Sequence, residues 1–209
     1  MQQDKVIILS SNKELVRNLT ALKIQSNIKK ITKSKLQKSK ESFIAERNKK
    51  VARTRKQRGY NWEDTLVKRF NALDSWKAFR LGSPSVALPD ILAVSNMANT
   101  IFTIEAKSGT GTTLHVPYDQ IIRCLTWIHT FERYKTRKMI IAFKFLSKKR
   151  IDIGKYEHRQ LREFYKTWDE SNKITDFVCT YDGETYALVD GKRQTLELED
   201  YQMPFLLKN

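Results

Sequence analysis

The chain has little of what most enzyme chemistries need. Three histidines, His115, His129 and His158, are scattered along its 209 residues, and none falls into a Ser/His/Asp order or an HNH-like cluster. Histidine-based and nucleophilic catalysis are therefore poorly supplied. Two cysteines, Cys124 and Cys179, lie inside expected regular elements without metal-ligand spacing, so neither a zinc site nor a disulfide framework is available. They read as reduced core thiols, which agrees with a cytoplasmic protein. The apolar run Val6-Ile7-Ile8-Leu9 is too short for a signal peptide or a membrane span. No Gly-Lys-Ser/Thr follows Ser108-Gly109-Thr110-Gly111-Thr112, which excludes a P-loop, and there is no internal repeat.

Positive charge is abundant, and it is unevenly spread. Residues 1–58 contain 17 Lys/Arg against 4 Asp/Glu, whereas residues 59–209 contain 22 against 19, out of a net +16. A basic arm ahead of a nearly balanced domain points to a polyanion, most simply nucleic acid. A membrane surface ranks lower because the arm lacks a strong apolar face with Trp or Phe anchors. We divide the chain into a basic, flexible arm (1–52), a core (53–150) and a C-terminal α+β extension packed on it (151–209). The arm has two readings of equal weight, a DNA-binding segment or the product of a mis-assigned start with Val51 as the true first residue.

The chemistry centres on Pro89-Asp90 and, fifteen residues after Asp90, Glu105-Ala106-Lys107. Ile91–Val94 and Thr100–Ile104 read as strands, and the two Asn residues at 96 and 99 suit the turn between them. With that turn, paired positions sum to 195, so Asp90 opposes Glu105 with Cβ atoms about 5 Å apart. Lys107 then shares their face, and Ala106 points away with Ile91, Phe102 and Ile104. Two carboxylates that close require a proton or a cation between them. Hard oxygen ligands suit Mg2+ or Mn2+, and a neighbouring lysine can orient a water or stabilise charge on a phosphate. The competing interpretation is a surface hairpin with solvated charges; the short pattern alone favours it, and the register, Pro89 and the apolar strands bring the two level.

Other elements are expected from periodicity. Asn61 caps a helix with Asp64 in its first turn and Trp62, Leu66, Phe70 and Leu73 as its buried stripe, with Glu63 beside that stripe. Glu63 is either a favourable first-turn acid or a third carboxylate at the same site. Trp76–Arg80 reads as a strand, with Arg80 a surface charge or a clamp on DNA, and Ser83 lies in the loop before Pro89. Leu114–Val116 suggests a short strand, and Pro117 opens a helix carrying Ile121, Cys124, Leu125 and Ile128. Gln120 is a surface residue or a hydrogen-bonding neighbour of the site. Met139–Leu146 is a strand in which Lys144 is either an edge-strand charge or a phosphate contact. Tyr156–Trp168 suggests a helix. Asp182-Gly183 and Asp190-Gly191 read as turns between three strands, the last including Leu196.

Taken in order, Arg58-Gly59, Trp62-Glu63, Phe79-Arg80-Leu81-Gly82-Ser83, Pro89-Asp90-Ile91, Ile104-Glu105-Ala106-Lys107 and Ala142–Leu146 resemble the archaeal Holliday junction resolvases of the PD-(D/E)xK nuclease superfamily. The resemblance spans about residues 53–150. It implies an α/β, restriction-endonuclease-like fold, a central mixed sheet flanked by helices. It also implies a homodimeric, Mg2+-dependent endonuclease (Mn2+ as an alternative) that cuts opposed strands of four-way junction DNA in recombination and repair. By this resemblance Glu63, Asp90 and Glu105 are metal-binding and catalytic, with the Ala106 backbone carbonyl as a further ligand. Lys107 is the catalytic lysine and Ser83 a serine near the scissile phosphate, while Arg58, Arg80 and Lys144 handle DNA. Where relatives carry Arg after the first-helix acid, this chain has Asp64. The same site occurs in flap, mismatch and restriction-type nucleases, and a non-catalytic DNA-binding module is a further alternative. The ending Gln202-Met203-Pro204-Phe205 only begins like a sliding-clamp peptide.

Overall fold

The computed structural model describes residues 37, 41–82, 87–152, 154–172 and 175–207. The chain divides into two compact units, Met1–Arg53 and Thr54–Asn209. In the first, residues 41–53 are helical and exposed. Residues 41–58 are all helical and belong to the basic part of the sequence. That stretch has no Gly or Pro and is rich in Ala, Glu, Lys, Arg and Gln, which are good helix formers.

In the second unit α1 covers residues 54–71. Asn61 lies inside it and is not its cap. Its side chain accepts from Gln57 at 2.9 Å and its carbonyl accepts the Thr65 hydroxyl at 2.6 Å. Among the described residues eleven strands and a second helix follow: β1 (Lys77–Arg80), β2 (Ile91–Ser95), β3 (Thr100–Gly109), β4 (Thr113–Val116), α2 (Tyr118–His129), β5 (Thr136–Phe145), β6 (Lys148–Asp152), β7 (Lys155–His158), β8 (Arg162–Thr167), β9 (Asp176–Thr180), β10 (Thr185–Val189) and β11 (Lys192–Thr195). The central sheet runs β1-β2-β3-β5-β8 and is mixed: β3 and β5 are parallel and the other neighbours antiparallel. A second sheet runs β11-β10-β9-β4, and β6-β7 form a separate ribbon.

The central sheet separates two cores. On one side α1 packs Trp62, Leu66 and Phe70 against Ile91, Phe102, Ile104 and Ala142, joined by Met203 and Phe205 from the chain end. On the other, α2 packs Ile121, Cys124 and Leu125 against Ile141 and Phe143, together with Phe177 and Cys179 of the second sheet. Both cysteines are free and buried. Trp62 keeps its indole N–H satisfied by donating to the Ala142 carbonyl at 3.0 Å.

A sheet buried on both faces explains the main misreading. Tyr156–Trp168 is not a helix but contains most of β7 and all of β8. In β8, Phe164 and Tyr165 point to opposite cores, so apolar residues occur on both faces and the two-residue alternation is lost. The chain after residue 150 thus supplies a strand to the central sheet as well as most of the second one. Lys144 does not lie at an edge either, because β5 runs between β3 and β8.

Candidate active site

The β2–β3 turn spans Asn96–Asn99, and Asn99 takes the left-handed conformation at φ 48° that a short polar side chain tolerates. The register follows: Leu92 faces Thr103 and Ile91 faces Ile104, which carries Asp90 to the level of Glu105. Asp90 itself ends the ladder. Its carbonyl oxygen accepts from the Leu81 and Gly82 amides at 2.9 and 3.2 Å, while Oδ2 accepts the Ala106 N–H at 2.9 Å. A carboxylate thereby replaces a backbone partner at the strand end, and this fixes its position against β3.

Glu105 is completely buried. Lys107 Nζ donates to its Oε1 at 2.6 Å, as the two-residue period of β3 requires. Arg123 of α2 donates from Nη2 to its Oε2 at 2.7 Å and lies 3.9 Å from Asp90 Oδ1. Glu63, on α1, is also buried and lines the same concavity of about 610 Å³ as Asp90, Glu105, Lys107, Gln120 and Arg123. Its Oε2 has no hydrogen-bond partner among the described residues, and nor has Gln120 Oε1.

Burial, followed by the nearby Asp90 carboxylate, pushes Glu63 up to about 7. Burial and then Glu105 push Asp90 up to about 6, against the opposing pull of the Ala106 amide, Lys107 and Arg123. Among the described residues no group of three or more His, Cys, Asp or Glu side chains stands close enough together to hold a metal ion in this arrangement. The oxygens of Glu105 hold two cationic side chains instead. The donor set nevertheless fits a hard divalent ion: all carboxylate, excessively negative once ionised, and including a buried Glu63 oxygen without a partner.

This electrostatic frustration has a measurable consequence. The folded state binds protons on Glu63 and Asp90 more tightly than the unfolded chain does, so their contribution to stability is complete below the ordinary carboxylate range. It is lost as pH rises through about 6 and 7. Metal-free protein should melt at a lower temperature at pH 8 than at pH 5.5. A divalent cation should raise the melting temperature more at pH 8, because ligation needs ionised carboxylates. A metal-free melting temperature that rises across this range would contradict the picture.

The remaining residues singled out in the sequence are placed less uniformly. Arg80 pairs with Asp64 at 3.2 Å and lies over the Tyr60 ring at 4.7 Å. Asp64 therefore engages the Arg80 guanidinium. The Arg58 carbonyl accepts the Ser108 hydroxyl at 3.3 Å, which ties α1 to the end of β3. Lys144 pairs with Glu163 at 3.2 Å and lies over the Trp62 ring at 4.6 Å. It does not line the concavity. Ser83 lies outside the described residues. Sequence reasoning missed Arg123. Its only signal is a position three residues after Gln120, at the margin of the Ile121/Cys124/Leu125 stripe, where an arginine is ordinarily a solvated one.

The chain matches the family model of the archaeal Holliday junction resolvases, Hjc, over residues 54–178. It belongs to this family. The Hjc match runs from α1 into β9 and so contains every site residue considered above. Membership makes the chain one of a family of divalent-metal-dependent nucleases that act on junction DNA. Among solved structures it is similar to Archaeoglobus fulgidus Hjc, a Holliday junction resolvase from an archaeal hyperthermophile. That similarity covers 60% of this chain and 85% of the other, at 17% identity and a TM-score of 0.40. No curated protein matches the chain. Among the described residues no helix is long and apolar enough to cross a membrane.

Proposed function

We propose that this Hjc-family protein resolves four-way DNA junctions by Mg2+-dependent hydrolysis of phosphodiesters in opposed strands. The observation that carries the proposal is the meeting of Asp90, Glu105 and Lys107 at one end of the central sheet, with Glu63 entering from α1. Asp90, Glu105, Glu63 and the Ala106 carbonyl would hold the metal. The bound ion would supply Lewis-acid activation of the phosphate and a more acidic water.

The chain's own groups do the rest. Asp90 is held in place by the Ala106 amide, so its other oxygen, 3.9 Å from the Arg123 guanidinium, is positioned without a search over rotamers. Lys107 orients the attacking water and, leaving Glu105, donates to the phosphate as charge develops there. Arg58 and Arg80 steer the phosphate backbone, and Ser83 contacts the scissile phosphate. Lys144 can do so only by giving up its contacts with Glu163 and Trp62. Paired cuts across a two-fold junction call for two such centres related by a two-fold axis, hence a homodimer.

A junction labelled separately on each strand tests this reading. Incisions should appear at symmetric positions in two opposed strands and leave 5′-phosphates and 3′-hydroxyls. Cuts confined to one strand, or at unrelated positions, would exclude paired resolution.

A further inference from the structure

β6 and β7 form a ribbon that belongs to neither sheet, with residues Lys148, Arg150–Asp152 and Lys155–His158 exposed. Ile151 is 64% and Tyr156 48% exposed. A two-stranded ribbon without a covering layer gains little stability by itself, so its sequence is free to serve a surface. Its pairing sorts the charges. Lys148 faces His158 and Arg150 faces Tyr156 on one side, whereas Lys149 faces Glu157 on the other. After the irregularity at Ile151, Asp152 faces Lys155. Lys149 and Glu157 pair at 3.6 Å. One face is therefore balanced in charge, and the other carries Lys148, Arg150, Tyr156 and His158 without a carboxylate.

The position of the ribbon is equally specific. β5 runs parallel to β3 with Lys107 level with Phe143 and Gly109 level with Phe145, so the ribbon leaves the sheet at the end where Glu105 and Lys107 lie. Its root is fastened to the turn following β3: the Leu146 and Arg150 amides donate to the Gly109 and Thr110 carbonyls at 2.9 and 3.2 Å. The Arg159 side chain donates to the Leu146 and Gly111 carbonyls, both at 2.9 Å.

We infer that the Lys148/Arg150/Tyr156/His158 face of the β6–β7 ribbon is a DNA-contacting arm that holds the phosphate backbone of one junction arm next to the cleaved strand. This rests on the junction-resolving reading above. Cations with an interleaved aromatic, and no acid, match a nucleic-acid backbone better than an acidic protein, for which the sheet-end position has no significance.

Equilibrium binding of the full chain to a four-way junction, in EDTA so that no cutting occurs, tests the inference across a range of salt concentrations. The double substitution K148S/R150S should lower the slope of log K against log salt by about 0.9 for each phosphate no longer neutralised, and weaken binding by about tenfold or more near 0.1 M salt. K149S, on the opposite face, should leave the slope almost unchanged. In the wild-type protein, junction DNA should slow amide hydrogen exchange within residues 148–158, a readout that needs no variant to fold. An unchanged slope in the double variant, an equal loss in K149S, or no exchange protection overturns the inference. Failure of the wild-type protein to bind a junction at all overturns the junction-resolving reading, and the inference with it.

Discussion

Asp90→Asn should slow junction cleavage by about a thousandfold or more while leaving junction affinity and its salt dependence close to wild type. The amide keeps the shape of the side chain, and its oxygen can still accept the Ala106 N–H that holds residue 90 against β3. It removes the negative charge, and with it the hard anionic ligand that the proposed metal requires. Burial and Glu105 already raise the proton affinity of this carboxyl, so losing the charge should not harm the metal-free fold. The variant should melt no lower than wild type without metal and lose most of the stabilisation that a divalent cation confers. Cleavage at an undiminished rate would remove Asp90 from the site. A large fall in metal-free stability would make it a structural residue.

Arg123→Met should destabilise the metal-free protein by about 3 kcal/mol, the scale expected when one partner of a buried ion pair is removed. Glu105 is fully buried and would keep only Lys107 as a charged partner, while Met retains much of the apolar bulk of the Arg stem. The same change should tighten divalent-cation binding, because the guanidinium 2.7 Å from Glu105 and 3.9 Å from Asp90 competes for the oxygens a metal would take. Denaturant unfolding with and without a divalent cation separates the two effects. The variant should recover in the presence of the ion much of what it loses in its absence. An equal loss under both conditions would reduce Arg123 to a packing residue.

The two halves of the site differed in how legible they were. Asp90, Glu105 and Lys107 could be placed from sequence because a short turn determines a hairpin register, and a two-residue period then determines the face. Those rules act locally, and the turn at Asn96–Asn99 obeys them. Glu63 was legible only as a neighbour of an apolar helical stripe, since nothing local says where a helix end meets a sheet. Arg123 depends on the placement of α2 over β3, a purely tertiary event. The β6–β7 ribbon and β8 were hidden for two different reasons. A ribbon that is exposed among the described residues needs no apolar face, and a strand covered on both faces has no alternation.

The most direct test compares a four-way junction with a linear duplex built from the same arm sequences, at equal protein and Mg2+ concentrations, and measures the initial rate of strand cutting. The account predicts rapid paired incision of the junction and a rate on the duplex lower by orders of magnitude. Equal cutting of both would contradict junction resolution while leaving a nuclease of another substrate class.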